Sequence, residues 1–293
     1  MLLFGAFLLL VGVAETGAVS CLDDDGNPIE WFIGYKFPSS YEYAVLTPGS
    51  TSWNKSVKYI HQDGMMKNTF ESMYRLKDSP NSFYGMYNDE KPDELLLTSR
   101  YWWGHMKGAL GFELGKGGFW LIHSIPKLSE ETGTYKYPHT GRVYGQHFFC
   151  VSLPDAYVAQ IVTQLTIARP LFQDTYLAPK LTELYPNLSL LLNNSLVRST
   201  PHSVVNFSSA HGGLKMKHFS KSLSYGHGKS LSVDSVFYRV LLGVIVVIMF
   251  VLSDGTSGLF VFTDGYDTHL VATNRILFVC CNSMTCLHSN VFA

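Results

Sequence analysis

Four short runs rich in aromatic and β-branched residues constrain what this chain can fold into. Residues 30 to 38, 83 to 88, 118 to 125 and 147 to 153 are bounded by Gly, Pro or Asn and read as strands. Residues 65 to 77 and 154 to 168 carry apolar positions at helical spacing, with Asp155 the expected cap of the second segment. Strands alternating with helices predict an α/β layered fold. The 293 residues suffice for one large domain or two small ones. With 46% hydrophobic and only 15% charged residues, the chain can bury a substantial core. A formal net charge of −1 argues against a surface coated in Lys and Arg for constitutive nucleic-acid binding. It leaves room for local positive potential, which Arg100, Lys107, Lys116, Lys127, Lys136 and Arg142 could supply. Solvated surface is the plainer reading of all of these but Lys107.

The N-terminus reads as a secretory signal over residues 1–20. Leu2 to Val13 is an apolar run of the right length, and Ala18-Val19-Ser20 fits a small-residue cleavage site before Cys21. The same run is too short to span a bilayer. Four glycosylation sequons, at Asn54, Asn187, Asn193 and Asn206, agree with a lumenal route. In that oxidising setting Cys21 and Cys150 are natural disulfide partners. Cys280, Cys281 and Cys286 remain as an odd trio whose spacing is not a zinc signature.

The segment with the most chemical content is Gly104-His105-Met106-Lys107-Gly108, followed by Gly117-Gly118-Phe119-Trp120-Leu121-Ile122-His123-Ser124-Ile125-Pro126. In an extended segment His105 and Lys107 point to one side, because side chains alternate faces. An imidazole beside an ammonium suits a phosphodiester: the Lys neutralises the anion, and the His attacks phosphorus or moves a proton. By spacing alone His-x-Lys is common. Several further segments, however, match one family in order. Trp31-Phe32-Ile33-Gly34-Tyr35-Lys36-Phe37-Pro38, Tyr87-Asn88-Asp89, Tyr144-Gly145-Gln146, Phe149-Cys150-Val151-Ser152 and His218-Phe219-Ser220-Lys221-Ser222 together resemble the deoxyribonuclease II family of acid nucleases. The likeness runs over roughly residues 21 to 225.

The resemblance implies a phospholipase D-like layered sandwich, a mixed sheet flanked by helices, in which two similar halves each give one His-x-Lys motif to a shared site. It also implies the Cys21–Cys150 pairing. The first half is expected to be complete and the second incomplete, because the family's second motif, in an Asp-His-x-Lys-Trp-Cys context, does not occur in this sequence. His227-Gly228-Lys229 has the spacing but not the neighbours, and Leu223 stands where a P-loop needs Gly. Beyond about Tyr225 the text departs from the family. Residues 226–293 read as a divergent hydrophobic tail, either genuine or a splice product. Its run Val240 to Leu252 is short of a spanning helix, so a strand pair or an unfolded tail is expected before a membrane anchor.

The chemistry implied by the resemblance is metal-free hydrolysis of DNA phosphodiesters. One His attacks phosphorus, a second protonates the leaving 5′ oxygen, and the product carries a 3′ phosphate. Mildly acidic pH favours such a pair, which suits a lysosomal or secreted enzyme. Carried onto this chain, His105 is the catalytic imidazole, Lys107 its phosphate-binding partner, and His123 a residue that orients or supplements the site. Asn88 and Asp89 are placed either near that site or in a turn. His139 and His147 are assigned to surface or packing. No cofactor is expected, and no His or carboxylate cluster stands at metal-ligand spacing. DNA is the expected substrate, and a homodimer pairing two motifs is conceivable. The alternatives are an inactive secreted or membrane-tethered fragment and a binding protein that keeps only the fold.

Overall fold

The computed structural model describes residues 19–89, 103–104, 106–128, 133–195, 199–222, 246–252 and 257–262. Its elements in chain order are β1 (Cys21–Leu22), β2 (Pro28–Ile29), β3 (Trp31–Lys36), β4 (Tyr43–Leu46), β5 (Asn54–Lys55), α1 (Met65–Tyr74), β6 (Ser82–Asn88), β7 (Lys107–Glu113), β8 (Gly117–His123) and β9 (Gln146–Leu153). There follow α2 (Val158–Ala168), β10 (Phe172–Leu177), α3 (Pro179–Leu184), α4 (Pro186–Leu192), β11 (His202–Ser208), β12 (Leu214–Lys221), β13 (Val246–Leu252) and β14 (Ser257–Phe262).

An eight-stranded sheet in the order β10-β6-β7-β8-β9-β3-β4-β5 carries the fold. Every neighbouring pair in it is antiparallel, which corrects the expectation of a mixed sheet. For β7 and β8 the physical reason is connectivity: they are joined by the tight turn at Leu114–Lys116, with Gly115 at φ 85°, and so short a link cannot return a strand to run parallel. The result is an α/β protein built on a large antiparallel sheet with few helices.

Strand alternation divides the core between the sheet's two faces. On one face Tyr87, Leu110, Trp120, Ile122 and Phe149 pack against α2, α4 and the β11–β12 hairpin. On the other, Tyr84, Met86, Ala109, Leu121, Phe148 and Cys150 pack against Met65, Met66, Phe70 and Met73 of α1. This α1 face is also where Cys21 is disulfide-bonded to Cys150, with Cα atoms 5.9 Å apart, tying β1 to β9. Burying an apolar side chain of this size stabilises by roughly 1.5–3 kcal/mol. Both faces of the sheet are therefore committed to the core along most of their length.

Asp155 does not cap α2. It lies in a 3-10 turn ahead of the helix, and its carboxylate accepts a 2.7 Å hydrogen bond from the Gly115 N–H, so it holds the β7–β8 turn instead. The four sequon asparagines are all exposed. Beyond the first sheet, β11, β12, β13 and β14 form a second antiparallel sheet, so residues 246–252 and 257–262 of the apolar tail pair as a hairpin on β12. Among the described residues no helix is long and apolar enough to cross a membrane. Residues 1–18 of the expected 1–20 signal segment, together with His227, Cys280, Cys281 and Cys286, lie outside the described residues.

Candidate active site

The polar residues of the α1 face collect at one end of the sheet. Asn88 ends β6, Lys107 begins β7 and His123 ends β8, and the register sets Asn88 opposite Lys107 and Lys107 opposite His123. Directly opposed residues on antiparallel strands share a face, with Cβ atoms about 4.5–5.5 Å apart. Three side chains distant in sequence thus form one row across three strands. All three are buried.

Two glycines allow this crowding. A Cβ at Gly108 would fall 2.3 Å from the Tyr87 hydroxyl and 2.5 Å from the Leu121 carbonyl. A Cβ at Gly34, in β3 on the far side of β9, would meet the ring of Phe148, the residue opposite His123, at 2.0 Å. A side chain at Gly108 would push β7 away from β6 and β8 at the residue next to Lys107.

Lys107 makes a buried ion pair: its Nζ donates to Asp89 Oδ1 at 2.6 Å, with side chains 5% and 8% exposed. Asp89 follows Asn88 directly, so the end of β6 delivers both the row's amide and the lysine's counter-ion. The Asn88 amide donates to the Ile125 carbonyl at 3.2 Å and its backbone N–H to the Leu171 carbonyl at 3.0 Å. The Gln173 side chain donates to the Asn88 carbonyl, and the Gly104 N–H donates 2.7 Å to the Arg169 carbonyl. The segment from Arg169 to Gln173 therefore clamps both the β6 end and the approach to β7.

His123 has a defined tautomer. Its Nδ1 accepts a 3.1 Å hydrogen bond from the Ile125 N–H, which places the ring proton of the neutral form on Nε2. That Nε2 is buried and has no hydrogen-bond partner among the described residues. Burial first, then the charge of Lys107 and the neighbouring His147, push the His123 pKa well below the ordinary imidazole value, with Asp89 opposing. The site thus holds a neutral imidazole presenting an unmatched N–H donor beside an ammonium–carboxylate pair.

Of the residues singled out in the sequence, the structure brings together Lys107, His123, Asn88 and Asp89. His105 lies outside the described residues. His147 is buried in β9, its pKa pushed down to about 3 by burial, and is a packing residue. His139 is exposed and meets the Tyr41 hydroxyl at 3.1 Å. The basic residues do not form one cluster. Lys116 sits in the β7–β8 turn, at the opposite end of the strands from Lys107, and pairs with Glu113 at 3.2 Å. Gln173 was missed by sequence reasoning, because nothing in its local pattern points to Asn88.

The family model described as Deoxyribonuclease II matches residues 20–229. The chain belongs to the deoxyribonuclease II family. It is 30% identical to Deoxyribonuclease-2-alpha of Mus musculus over 221 residues, covering 71% of this chain and 62% of the relative. Identity to Deoxyribonuclease-2-beta of Mus musculus is 31% over 231 residues, covering 75% and 64%. With Cell death-related nuclease 6 of Caenorhabditis elegans it is 30% over 240 residues, covering 78% and 61%. The chain thus spans about three fifths of the length of the curated relatives it matches. The matched stretch contains the whole row from Asn88 to His123 and the disulfide between Cys21 and Cys150.

Proposed function

We propose that this chain is a deoxyribonuclease that hydrolyses DNA phosphodiesters at the Asn88–Lys107–His123 end of the sheet. The observation that carries the proposal is the buried row itself, in which the Lys107 ammonium stands opposite an imidazole whose N–H has no partner among the described residues, with His105 two positions before Lys107 in the sequence. Relatives named as deoxyribonucleases and a cell death-related nuclease give the substrate class.

In this reading the His105 imidazole attacks phosphorus and forms a P–N bond as the bond to the leaving 5′ oxygen breaks. A general acid delivers a proton to that oxygen, and water then cleaves the P–N bond, leaving a 3′ phosphate. Lys107 binds the phosphate as a point charge, held in position by Asp89. His123, whose pKa burial pushes well below the ordinary imidazole value, is a hydrogen-bond donor from Nε2 in this reading. No step calls on a metal. The surrounding assignments follow the same reading: a phospholipase D-like domain over 21–225, a signal segment over 1–20, glycans at the four sequons, and a lysosomal or secreted destination.

The second imidazole is the open requirement. No Asp-His-x-Lys-Trp-Cys segment occurs in these 293 residues, and a second copy of the chain contributing its own His105 is one source of that imidazole. That same observation supports the alternative of a fold that binds DNA without cleaving it. The test is nicking of supercoiled plasmid at pH 5 in EDTA by the purified chain beside His105→Ala. Nicking that disappears in the variant is the expected result. Nicking by neither protein would overturn the activity.

A further inference from the structure

A cavity lies on the same face and at the same end of the sheet as the Asn88–Lys107–His123 row. Its wall is an aromatic ladder. Tyr41 and His61 stack with ring centroids 3.9 Å apart, Tyr59 meets His61 edge-on at 6.1 Å, and Tyr137 closes the inner end at 6.0 Å from Tyr41. The Arg142 guanidinium stands over the Tyr41 ring at 6.0 Å. The cavity between them is open to solvent and holds about 360 Å³, within the roughly 300–1,000 Å³ of small-ligand clefts. Its outer ring, Tyr59, is 47% exposed.

The cradle is held from behind by groups that have no other evident task. Lys36, fully buried at the end of β3, donates its Nζ hydrogens to the backbone carbonyls of Arg142, at 2.9 Å, and Tyr144. The Tyr135 hydroxyl donates 2.6 Å to the Ile60 carbonyl, and the Tyr137 hydroxyl donates 3.1 Å to the Gly141 carbonyl. The Ile60 N–H donates 3.0 Å to the Tyr41 carbonyl. The segments bearing Tyr41, His61 and Arg142 are thereby fixed before any ligand arrives. Glu42, the one acidic side chain in the lining, is paired with Lys55 at 2.8 Å. His61 Nδ1 is buried with no hydrogen-bond partner among the described residues.

We propose that this cradle binds a nucleobase of single-stranded or locally melted DNA, with Arg142 on the adjoining phosphate. The proposal rests on the nuclease reading of the neighbouring row. Flat aromatic faces accept any base, and a guanidinium suits a phosphate. Tyr41 precedes β4, three strand steps of about 4.8 Å from β8, so the cradle lies roughly 15 Å from His123, a few nucleotides along an extended strand. The stacked base would anchor the strand so that a phosphate upstream or downstream reaches Lys107.

The experiment compares fluorescence-anisotropy binding of a labelled oligothymidylate with that of the same-length abasic sugar-phosphate strand, at pH 7.5 in EDTA. The expected result is binding of the thymidylate about tenfold tighter than the abasic strand. Tyr59→Ala, at an exposed ring that does not hold the core, and His61→Ala each shrink that preference while leaving abasic binding unchanged. Arg142→Ala weakens both strands and lowers the salt dependence. Equal binding of the two strands by the native chain, absence of binding, or a preference that survives in the Tyr59→Ala/His61→Ala double variant would overturn the proposal. None of these outcomes depends on plasmid nicking, so the cradle can stand or fall apart from the catalytic reading.

Discussion

Two buried histidines, one on a strand of each sheet, show what distinguishes a candidate reactive site from a packed core. His123 on the α1 face and His218 beneath α2 both have one nitrogen satisfied and an Nε2 with no partner among the described residues. Burial drives both pKa values down, His218 to about 3. Their surroundings differ. His218 Nδ1 faces Gln164 Oε1 at 2.8 Å, so its proton is on Nδ1, and the ring lies 4.8 Å from Trp120 and 6.4 Å from Phe207. Its neighbours are neutral. His123 has the opposite tautomer and stands opposite Lys107 with Asp89 behind it. A buried imidazole is therefore common to a core and to a candidate active site; the desolvated charge pair beside it is what marks the second.

The largest way to break this comparison is to unpair the charges. Asp89→Ala removes the carboxylate paired with the buried Lys107 ammonium, and breaking a buried pair of this kind costs about 3–5 kcal/mol. Urea denaturation at pH 7 measures it, and a loss below about 1 kcal/mol would mean the pair is solvated. The double variant Asp89→Leu/Lys107→Met removes both charges and is expected to recover most of that stability. It should not recover function. If the row is catalytic, loss of the Lys107 charge lowers plasmid nicking about 10²–10³-fold in the double variant, as it does in Lys107→Met alone. Recovery of nicking in the double variant would separate Lys107 from the chemistry.

Acid sharpens the comparison next. His147 and His218 have folded pKa values near 3 against an ordinary value of 6.5. Between those limits the unfolded chain binds more protons than the folded one, so stability is complete above pH 6.5 and falls as pH drops toward 3. At pH 5 each buried histidine is expected to cost about 2 kcal/mol relative to pH 7. His123, shifted in the same direction, adds to the loss. Chemical denaturation at pH 7, 6 and 5 reads this directly. A stability that stays flat from pH 7 to 5 would show that these rings take up protons in the folded state.

What could be read from the sequence followed the strength of local pattern. The aromatic runs located β3, β6, β8 and β9 to within about two residues, because Trp31, Phe32, Phe119, Trp120, Phe148 and Phe149 have few alternatives to a buried sheet. The strand that carries the motif, β7, was not legible: Gly108, Ala109 and Gly111 dilute its apolar signal, and those small residues are there because neighbouring groups leave no room for larger ones. Asp155 looked like a helix cap, and a competing tertiary partner, the Gly115 N–H, took its carboxylate. Of the site, the proximity of His105 and Lys107 is written in their spacing. The pairing of Lys107 with Asp89 and its register with His123 exist only once β6, β7 and β8 are laid side by side. The aromatic cradle draws on three separate segments and had no local signal at all.

The smallest expected effect tests whether His218 is only packing. His218→Phe alone would strand the Gln164 amide, whose Nε2 already lacks a partner among the described residues, so the informative variant is His218→Phe/Gln164→Leu. Exchanging both members of a buried polar pair for apolar groups of similar shape is close to neutral, because neither is left unsatisfied. At pH 7 the double variant should lie within about 1 kcal/mol of the native chain. At pH 5 it should be the more stable by about 2 kcal/mol, since one of the histidines that titrates only on unfolding is gone. Plasmid nicking should be unchanged. A loss of nicking at unchanged stability would move His218 from the core into the mechanism and erase the contrast with His123.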